Sequence, residues 1–305
     1  MTMRVLFTGV SSFTGLWFAR ALKAAGCEVV APLRASGYED PLRRVRLAEA
    51  AKVAEIIPAA PFGSPAFLDV LARGFDVLCH HAAEAANHKS PDFDVERAVA
   101  GNVFNAAATL QAAKAAGVQR LVLTGSAFEE GEGRGTEPLV AFSPYGLSKS
   151  LTARAFQAEC ERAGLPMVKF VVPNPFGPYE AQTFQRAVMS RWRDGQAVNV
   201  SHPLYGRDNA PVDLLGRVYA KAAAGALGAH VSPSVYAGSV GDFFERMARE
   251  TRARTGWTCP LSLAESQQSN EPLERYNLQP VDPADYGWSE CAFWDAYAAY
   301  YAGGG

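Results

Sequence analysis

The stretch Thr8-Gly9-Val10-Ser11-Ser12-Phe13-Thr14-Gly15 separates an apolar run from a helical pattern, and it decides the fold. Arg4 to Thr8 predicts a strand, and apolar residues then recur at helical spacing from Phe13 to Ala25, before Gly26. A glycine turn at this place lets a ligand approach the backbone and leaves N–H groups at a helix N-terminus, which suits a dinucleotide pyrophosphate. Ser12 stands where a third glycine would be expected, and such turns are also plain strand-to-helix punctuation.

Strand and helix patterns continue to alternate through the first two-thirds of the chain. Further strands are predicted at Glu28–Leu33, Phe75–His80, Arg120–Thr124 and Met167–Val172, and helices at about 93–116 and 144–163. Strands that are apolar throughout belong in a sheet covered on both faces, and their alternation with helices implies right-handed crossovers. The sequence therefore predicts an α/β fold with a Rossmann-type doubly wound parallel sheet.

The pattern changes after Pro173. Asn174 to Tyr179 holds two prolines and a glycine and predicts a loop, and an aromatic helix is predicted from Ser289 to Tyr301. We expect a dinucleotide-binding domain over residues 1–173, to which 205–235 returns. A smaller C-terminal substrate-binding lobe is expected over 174–204 and 236–305.

Composition excludes several classes of protein. The 305 residues carry 29 Lys+Arg against 31 Asp+Glu with no basic run, which predicts no nucleic-acid partner. No apolar stretch approaches the roughly 18 residues of a membrane span, so no membrane partner is predicted. The N-terminus opens on a strand pattern without signal-peptide features, which predicts a cytoplasmic protein.

Cysteine and histidine spacing predicts no metal site. The five cysteines are scattered and odd in number, so we expect buried free thiols. His80, His81 and His88 cluster with Glu84, but the first two close a predicted strand and do not share a helix face with the others.

The end of the second strand carries the residue that would contact the adenosine ribose. There the sequence has Leu33-Arg34-Ala35-Ser36, with no acid until Glu39. An acid accepts from the 2′-hydroxyl of NAD, whereas an arginine suits the 2′-phosphate of NADP. Arg34 with Ser36 therefore favours NADP(H); a solvated surface arginine and NAD(H) stay open.

Tyr145 and Lys149 are four residues apart in a predicted helix, so they share one face. A phenol with its ordinary pKa near 10 is a poor acid–base catalyst at neutral pH, and a cation one turn away is expected to lower that pKa. Ser126 follows the strand that ends at Thr124, at the sheet edge where ligands bind in such folds. Glycine turn, serine and tyrosine–lysine pair thus follow the order that one active site needs.

With these motifs the chain resembles the extended short-chain dehydrogenases/reductases, in the branch of nucleotide-sugar epimerases, dehydratases and reductases. The resemblance runs from Arg4 to about Ala224. Besides the motifs above, it is carried by His80-His81-Ala82-Ala83, Asn102-Val103, Asn174-Pro175-Phe176-Gly177-Pro178 and Arg207-Asp208-Asn209-Ala210-Pro211-Val212-Asp213.

The resemblance implies a role for each matching residue. Ser126 and Tyr145 would polarise the reacting oxygen, and Lys149 would also hold the nicotinamide ribose. Together with Arg34, the expected cofactor-binding residues are Thr8, Gly9, Ser11, Ser12, Phe13, Gly15, His80, Ala82, Lys149 and Pro173. For a nucleotide-diphosphate sugar, the expected substrate-binding residues are Asn174, Arg207 and Arg275, the two arginines on the diphosphate.

Two departures bear on the reaction. Ala127-Phe128 follows Ser126, where the dehydratases of the family carry an Asp-Glu pair that acts as acid and base. Glu129 and Glu130 lie just beyond, so a dehydratase is discounted without being excluded. Phe62-Gly63-Ser64 replaces the aspartate that contacts adenine in the family.

The sequence leaves three functions open. The first is NADP(H)-dependent reduction of a nucleotide-linked 4-keto sugar, with a proton from Tyr145, and Arg34 favours it. The second is an NAD-dependent nucleotide-sugar 4-epimerase, which would use the same residues. The third is a non-catalytic NADP-binding sensor or scaffold. A homodimer is predicted, because several alanines would allow close helix contact: Ala106, Ala107, Ala108, Ala112, Ala113 and Ala116.

Overall fold

The computed structural model describes residues 2–35, 37–265 and 271–304, which form two compact units. The first unit comprises the chain up to Glu132, Val140–Val172 and Gly216–Val231. The second comprises Gly133–Leu139, Pro173–Leu215 and the chain from Ser232 onward. The segment that returns to the first unit is thus shorter than the 205–235 expected from the sequence.

The elements alternate as the sequence predicts in the first unit. The strands are β1 (Arg4–Thr8), β2 (Glu28–Pro32), β3 (Glu55–Ile57), β4 (Val77–His80), β5 (Arg120–Ser126), β6 (Arg134–Gly135), β7 (Met167–Val172), β8 (Asn174–Phe176), β9 (Val198–Val200), β10 (Gly206–Pro211), β11 (His230–Val231), β12 (Pro233–Ser234), β13 (Tyr236–Ser239), β14 (Leu261–Leu263), β15 (Glu274–Tyr276) and β16 (Gln279–Pro280). The helices are α1 (Phe13–Ala24), α2 (Pro41–Ala50), α3 (Pro65–Leu71), α4 (Val95–Asn102), α5 (Ala106–Ala115), α6 (Pro144–Ala163), α7 (Phe184–Arg193), α8 (Val212–Ala223), α9 (Val240–Thr255) and α10 (Glu290–Ala302), with a 3₁₀ turn at Pro283–Tyr286.

The first unit is built on a seven-stranded sheet in the order β11-β7-β5-β4-β1-β2-β3. Neighbouring strands are parallel throughout, which confirms the predicted doubly wound sheet. From β1 the strand order runs to β2 and β3 on one side and to β4, β5, β7 and β11 on the other, so the order reverses between β1 and β4. In such sheets the crevice beyond the carboxyl ends at this reversal is where ligands bind.

Helices cover both faces of this sheet, as its apolar strands require. On one face α3, α5 and α6 pack together over fully buried side chains such as Leu78, Leu121 and Phe156. Burying each such side chain contributes roughly 1.5–3 kcal/mol to folding. On the other face α1 packs against α2, and Gly216 in α8 lies against the backbone of Trp17.

The helix predicted over about 93–116 is wrong in one respect, because it is two helices, α4 and α5. The break lies at Asn105, whose backbone is left-handed with φ +52°. The Asn105 side chain donates to the carbonyl of Gly63 at 2.8 Å, and a Cβ at Gly63 would lie 2.4 Å from the carbonyl oxygen of Phe104. A tertiary contact therefore ends a pattern that is helical in the sequence alone.

The alanines that predicted close helix contact divide between this chain's own core and its surface. Ala106 and Ala113 are buried in the core of the first unit, whereas Ala107 and Ala108 face outward. The exposed apolar side chains of this region are instead Phe104, Leu147 and Leu151.

The second unit is built around a five-stranded sheet in which β10 is central. β13, β10, β15 and β6 follow one another, and β8 pairs in parallel with β10. The segment expected to be a loop from Asn174 is therefore a short strand, with Asn174 opposite Asn209. Phe176 is fully buried against the rings of Phe243 and Phe293.

A buried carboxyl group joins the loop after β8 to the C-terminal helix α10. Glu180 is 0% exposed and accepts hydrogen bonds from Thr183 at 2.6 Å, Tyr297 at 2.8 Å and Tyr301 at 2.7 Å. Burial raises the pKa of Glu180 to about 7, although the hydroxyl donors oppose that rise.

Four of the five cysteines are buried and reduced, as expected, and the fifth, Cys291, is exposed at the start of α10. Among the helices of the described residues, none combines the length and apolar character that crossing a bilayer requires.

We expect Glu180→Gln to change how stability depends on pH. The folded chain keeps the Glu180 proton up to about pH 7, whereas an unfolded glutamate loses it near its ordinary pKa of 4.5. Protonated Glu180 therefore stabilises the fold fully below about pH 4.5, and this stabilisation is lost as the pH rises through 7. In urea denaturation, the free energy of unfolding of the variant relative to that of the wild type should rise by on the order of 2–3 kcal/mol between pH 5 and pH 8.

The exposed Glu245→Gln substitution on α9 is the matched control and should show no such trend. Parallel pH profiles for wild type and Glu180→Gln would contradict the expected ionisation of Glu180.

Candidate active site

The glycine loop between β1 and α1 is held by contacts that leave no room for side chains. Gly9 has φ +84°, and a Cβ there would lie 2.8 Å from the amide nitrogen of Ala82, in the loop after β4. A Cβ at Gly15 would lie 2.2 Å from the carbonyl oxygen of Gly9. Gly9 is therefore required for the two loops to meet at the carboxyl edge of the sheet, and Gly15 is required for the first loop to fold back on Gly9.

Ser12 is the N-cap residue of α1, and its hydrogen bonds show why a serine stands at this position of the loop. Its hydroxyl accepts from the amide of Gly15 at 3.0 Å and donates to the carbonyl of Gly9 at 2.9 Å. It also lies 3.0 Å from Nε2 of His81. A third glycine would be expected at this position, and the serine that replaces it holds the loop in place by hydrogen bonds.

His81 is a residue whose role the sequence did not indicate. Its Nε2 also lies 3.0 Å from the Thr14 hydroxyl, and its Nδ1 lies 3.0 Å from the Thr124 hydroxyl at the end of β5. Since the Ser12 hydroxyl already donates to Gly9, hydrogen-bond balance assigns the proton of the ring to Nε2. Burial and the charge of Lys149 lower the pKa of His81 to about 3, so the ring stays neutral.

Thr8 and His80, which were both expected to bind the cofactor, have buried side chains. Thr8 accepts from the amides of His81 and Ala82, both at 3.1 Å, and contacts Nδ1 of His80 at 3.1 Å. The His80 ring is 3% exposed and packs against Phe62, with centroids 4.1 Å apart. The side chains of Thr8 and His80 therefore support the loops from beneath. Ser11 is likewise buried.

The residues of this loop fit a dinucleotide pyrophosphate. The amides of Phe13 and Thr14 open the first turn of α1, and among the described residues they have no hydrogen-bond partner. The glycine backbone beside them presents no side chain. An anion at this end of α1 would receive these donors and the favourable end of the helix dipole.

Arg34 lies just beyond β2, where the adenosine ribose is expected. Its side chain is 66% exposed, and Nη1 pairs with Glu84 at 3.0 Å. Glu84 is held in turn, because its amide donates to Asn102 Oδ1 at 2.7 Å. Ser36, expected to assist Arg34, lies outside the described residues.

The loop after Ser126 is packed against the start of α6. A Cβ at Gly146 would lie 2.2 Å from the carbonyl oxygen of Phe128. The amide of Glu130 donates to the Ser150 hydroxyl at 2.8 Å, and the Ser126 hydroxyl accepts from the amide of Phe128 at 3.2 Å. Ser126 and the helix that carries Tyr145 are thus parts of one tightly packed arrangement.

Lys149 is buried and directed at the end of β5. Its ammonium donates to the Thr124 carbonyl at 2.6 Å. Burial lowers the pKa of Lys149, while the nearby carboxylate of Glu129 opposes that shift. His81 and Lys149 therefore converge on Thr124, one on its hydroxyl and the other on its carbonyl.

Tyr145 is flanked by aromatic rings, and its hydroxyl has no hydrogen-bond partner among the described residues. The rings of His88 and Phe93 meet it edge-on, with centroids 5.5 and 5.8 Å away. Burial, followed by the charge of Glu129, raises the pKa of Tyr145 to about 12. The expected lowering of this pKa by Lys149 is therefore wrong for the structure as it stands, because the ammonium faces Thr124.

The expected substrate residues lie in the second unit. Asn174 is half-buried in β8, and the preceding Pro173 is buried. Arg207 and Arg275 are paired residues on the neighbouring strands β10 and β15, and both are buried. Paired residues on adjacent strands share a face, so the two arginine side chains start from the same face of this sheet.

Arg207 already has several hydrogen-bond and ion-pair partners within the chain, which the sequence did not indicate. It pairs with Glu271 at 3.0 Å and donates to the carbonyls of Gly206 at 2.8 Å and Leu273 at 3.1 Å. Its guanidinium also lies 4.7 Å from the centre of the Tyr205 ring. A diphosphate bound here would have to take the place of the Glu271 carboxylate, which is half exposed.

Comparison with known proteins agrees with this fold. Residues 5–217 match the NAD dependent epimerase/dehydratase family, and the chain belongs to that family. The protein is accordingly an NAD(P)-dependent enzyme of the extended short-chain dehydrogenase/reductase type. A sequence search of curated proteins finds no match.

Three solved structures are similar over nearly the whole chain. A UDP-glucuronic acid 4-epimerase from Bacillus cereus, with UDP-glucuronic acid and NAD, has a TM-score of 0.74 at 18% identity, covering 98% of each chain. A UDP-glucose 4-epimerase from Thermus thermophilus, with NAD, has a TM-score of 0.71 at 19% identity, covering 99% of each chain. A dTDP-glucose 4,6-dehydratase from Streptomyces venezuelae, with NAD, has a TM-score of 0.71 at 20% identity, covering 98% of this chain and 97% of that one.

We expect Gly15→Ala to disrupt the glycine loop. The new methyl group would meet Gly9 at 2.2 Å and the Ser12 hydroxyl at 2.7 Å, so the loop must open. The cost should be roughly 1–3 kcal/mol in urea denaturation. Fluorescence titration with NADH and NADPH should show at least about tenfold weaker binding, because the loop amides would be displaced.

Gly101→Ala is the matched control, since Gly101 is also helical and a Cβ there meets nothing within 4 Å. It should leave cofactor binding unchanged and raise stability by roughly 0.5–1 kcal/mol. Equal behaviour of the two variants would show that the loop does not need Gly15.

Proposed function

We propose that the protein reduces the 4-keto group of a nucleotide-diphosphate-linked sugar with NADP(H). The observation that carries this proposal is the surroundings of Tyr145. Burial, followed by the charge of Glu129, raises the pKa of the phenol, while the Lys149 ammonium is directed at Thr124. A phenol in such surroundings holds its proton at neutral pH, as a proton donor must.

The residues of the first unit divide the work. A bound nicotinamide supplies a hydride when it is reduced. Tyr145 gives its proton to the oxygen that becomes negative as the carbonyl is reduced, and Ser126 donates a hydrogen bond to that oxygen. The amides of Phe13 and Thr14, with Gly9 and Gly15, hold the cofactor pyrophosphate.

A dehydratase is disfavoured by what surrounds Ser126. Ala127 and Phe128 carry no acid or base. Glu129, the first carboxylate after them, accepts from the Ser126 amide at 2.8 Å and pairs with Lys169 at 2.6 Å. Both of its oxygens are committed, so it is poorly placed to remove or supply the elements of water.

A nucleotide-sugar 4-epimerase is the second candidate. The similarity to the two 4-epimerase structures supports it. An epimerase would need Tyr145 as the phenolate, to accept a proton before returning it, and burial together with the charge of Glu129 disfavours the phenolate. A sensor without catalysis, the third possibility, has no use for a half-buried phenol one turn from a buried lysine.

NADP(H) is proposed over NAD(H) because of Arg34. Arg34 lies just after the end of β2, and its side chain is exposed. Its guanidinium can leave Glu84 and bind a 2′-phosphate in place of that carboxylate. NAD(H) is the alternative, since Glu84 itself lies beside this position and could accept from a 2′-hydroxyl.

The substrate is proposed to be a nucleotide diphosphate sugar, bound through Asn174, Arg207 and Arg275. Two buried guanidinium groups on adjacent strands suit a diphosphate, which can accept several charge-assisted hydrogen bonds. A homodimer is proposed as well, through the exposed Phe104, Leu147 and Leu151 around α6.

Turnover of 4-keto nucleotide sugars with NADPH tests the reaction. Tyr145→Phe should lower kcat by roughly 10²–10⁴-fold, because it removes the proton donor, while NADPH binding stays within a few-fold of wild type. Tyr300→Phe, on α10, is a control that should keep full activity. Undiminished turnover by Tyr145→Phe would reject the proposal, and interconversion of 4-epimers without added NADPH would favour the epimerase.

Arg34→Ala tests the cofactor. It should raise the KM for NADPH by roughly ten- to a hundredfold, the worth of one lost charge-assisted contact, and leave the KM for NADH nearly unchanged. Glu84→Gln should lower the KM for NADPH, because it releases Arg34 from its ion pair. If Arg34→Ala affects both cofactors equally, Arg34 does not select the 2′-phosphate.

A further inference from the structure

Asn209 is a buried polar residue in the middle of β10. It is 3% exposed, and no donor or acceptor in the described part of the chain pairs with its side-chain nitrogen Nδ2. Burying a polar group without a hydrogen bond is costly, and folded proteins contain few such groups. This amide therefore points to an acceptor that the chain itself does not supply.

The preceding residue, Asp208, shows how a buried polar side chain of this strand is otherwise satisfied. Its Oδ1 accepts from the amide of Val235 at 2.8 Å, and its Oδ2 accepts from the amide of Asn277 at 3.3 Å. Successive side chains of a strand point to opposite faces of the sheet. The side chain of Asp208 therefore leaves the face opposite to that of Asn209, and its partners do not serve the Asn209 amide.

The face that carries Asn209 also carries the candidate substrate residues of this unit. Asn209 is paired with Asn174 on the neighbouring strand β8. It is also two residues from Arg207, which is paired with Arg275 on β15. Paired residues share a face of the sheet, as do residues two apart on one strand. The Asn209 side chain is therefore the neighbour of Asn174 across the sheet and of Arg207 along the strand.

The remaining neighbours of Asn209 on this face are apolar or already engaged. Pro211 follows two residues later and is paired with Phe176, and both are buried. Tyr236 is paired with Asn209 on β13, but its hydroxyl donates to Glu290 at 2.8 Å. An apolar side chain at position 209 would suit Pro211 and Phe176 better than an amide does. The asparagine thus lies at the border between the apolar part of this face and its arginines.

The hydrogen bonds of Arg207 leave a defined place for an anion. Its Nη1 donates to the carbonyls of Gly206 and Leu273, so a ligand meets the guanidinium at Nη2, where Glu271 pairs with it. Positions two apart on a strand are about 7 Å apart, a distance that a diphosphate and an arginine side chain together can span. Phosphate oxygens accept several hydrogen bonds each, and an amide adds a donor without adding charge. A diphosphate bound by Arg207 can therefore accept from Asn209 as well.

We propose that Asn209 is a substrate-binding residue whose side-chain amide donates a hydrogen bond to a diphosphate oxygen of the nucleotide-linked sugar. This inference rests on the proposed substrate class and deepens it, because it adds a neutral donor to the site of Asn174 and the two arginines. In the free chain the amide is buried without a partner, and in the complex it is satisfied. Asn209 therefore lowers the stability of the free protein and raises its affinity for the ligand.

Asn209→Leu and Asn209→Ala test this contact in the full chain. Leucine fills the space of the asparagine and alanine empties it, so an effect that both variants share comes from the amide. Isothermal titration with UDP and dTDP, each free or linked to glucose, should show roughly tenfold weaker binding in both variants, the worth of one hydrogen bond. Without ligand, the urea midpoint of Asn209→Leu should equal or exceed that of the wild type, because an unpaired buried donor is removed.

Asn102→Leu is the matched control, because it removes a buried asparagine amide that does have partners. Asn102 is 6% exposed, donates to the Thr152 hydroxyl at 3.2 Å and accepts from the amide of Glu84 at 2.7 Å. Its loss leaves those partners unpaired, so the urea midpoint should fall. The affinity for UDP and dTDP should stay within twofold of wild type.

Unchanged diphosphate affinity in Asn209→Leu and Asn209→Ala would overturn the proposal, as would a fall in the urea midpoint of Asn209→Leu as large as that of Asn102→Leu. Weaker binding of the glucose-linked forms alone would assign the contact to the sugar and overturn it too. If the wild type binds none of the four ligands, the proposed substrate class fails together with this inference. Weakened diphosphate binding in variants of a protein that reduces no 4-keto sugar would reject the proposed reaction alone.

Discussion

The first unit depends on a close approach of two backbone segments at the carboxyl edge of its sheet. The loop after β1 and the loop after β4 meet where Gly9 faces Ala82, with no space for a side chain. This approach is possible because β1 and β4 are neighbouring parallel strands, so the loops that follow them leave the same edge of the sheet. Thr8, Ser12 and His81 then hold the two loops together by hydrogen bonds, and the N-terminus of α1 is presented beside them.

Much of this arrangement could be predicted from sequence because it repeats along the chain. Strands buried on both faces are apolar throughout, so the order of strands and helices in the first unit is confirmed, with α6 and β7 at their predicted bounds. The helix break at Asn105 could not be predicted, since it depends on a hydrogen bond to Gly63, distant in sequence. The short strand β8 was missed for the same reason, because its partner is β10.

The sequence predicted which residues form the candidate site, but not the charges and hydrogen bonds that surround them. The four-residue spacing of Tyr145 and Lys149 indicates a shared helix face, but it does not indicate which acceptor the ammonium reaches. That acceptor is a backbone carbonyl, at Thr124, which carries no signal in the sequence. Glu129 was visible only as an acid beyond the expected pair, and its partner Lys169 lies on another strand, so nothing in the local pattern joined them.

The placement of the cysteines has a practical consequence. Of the five thiols, only that of Cys291 is exposed, in the first turn of α10. The same helix carries Tyr297 and Tyr301, which close over Glu180. A maleimide fluorophore added to the unaltered chain would therefore attach at one position. Its emission would report directly on whether the C-terminal helix stays seated, without any engineered cysteine.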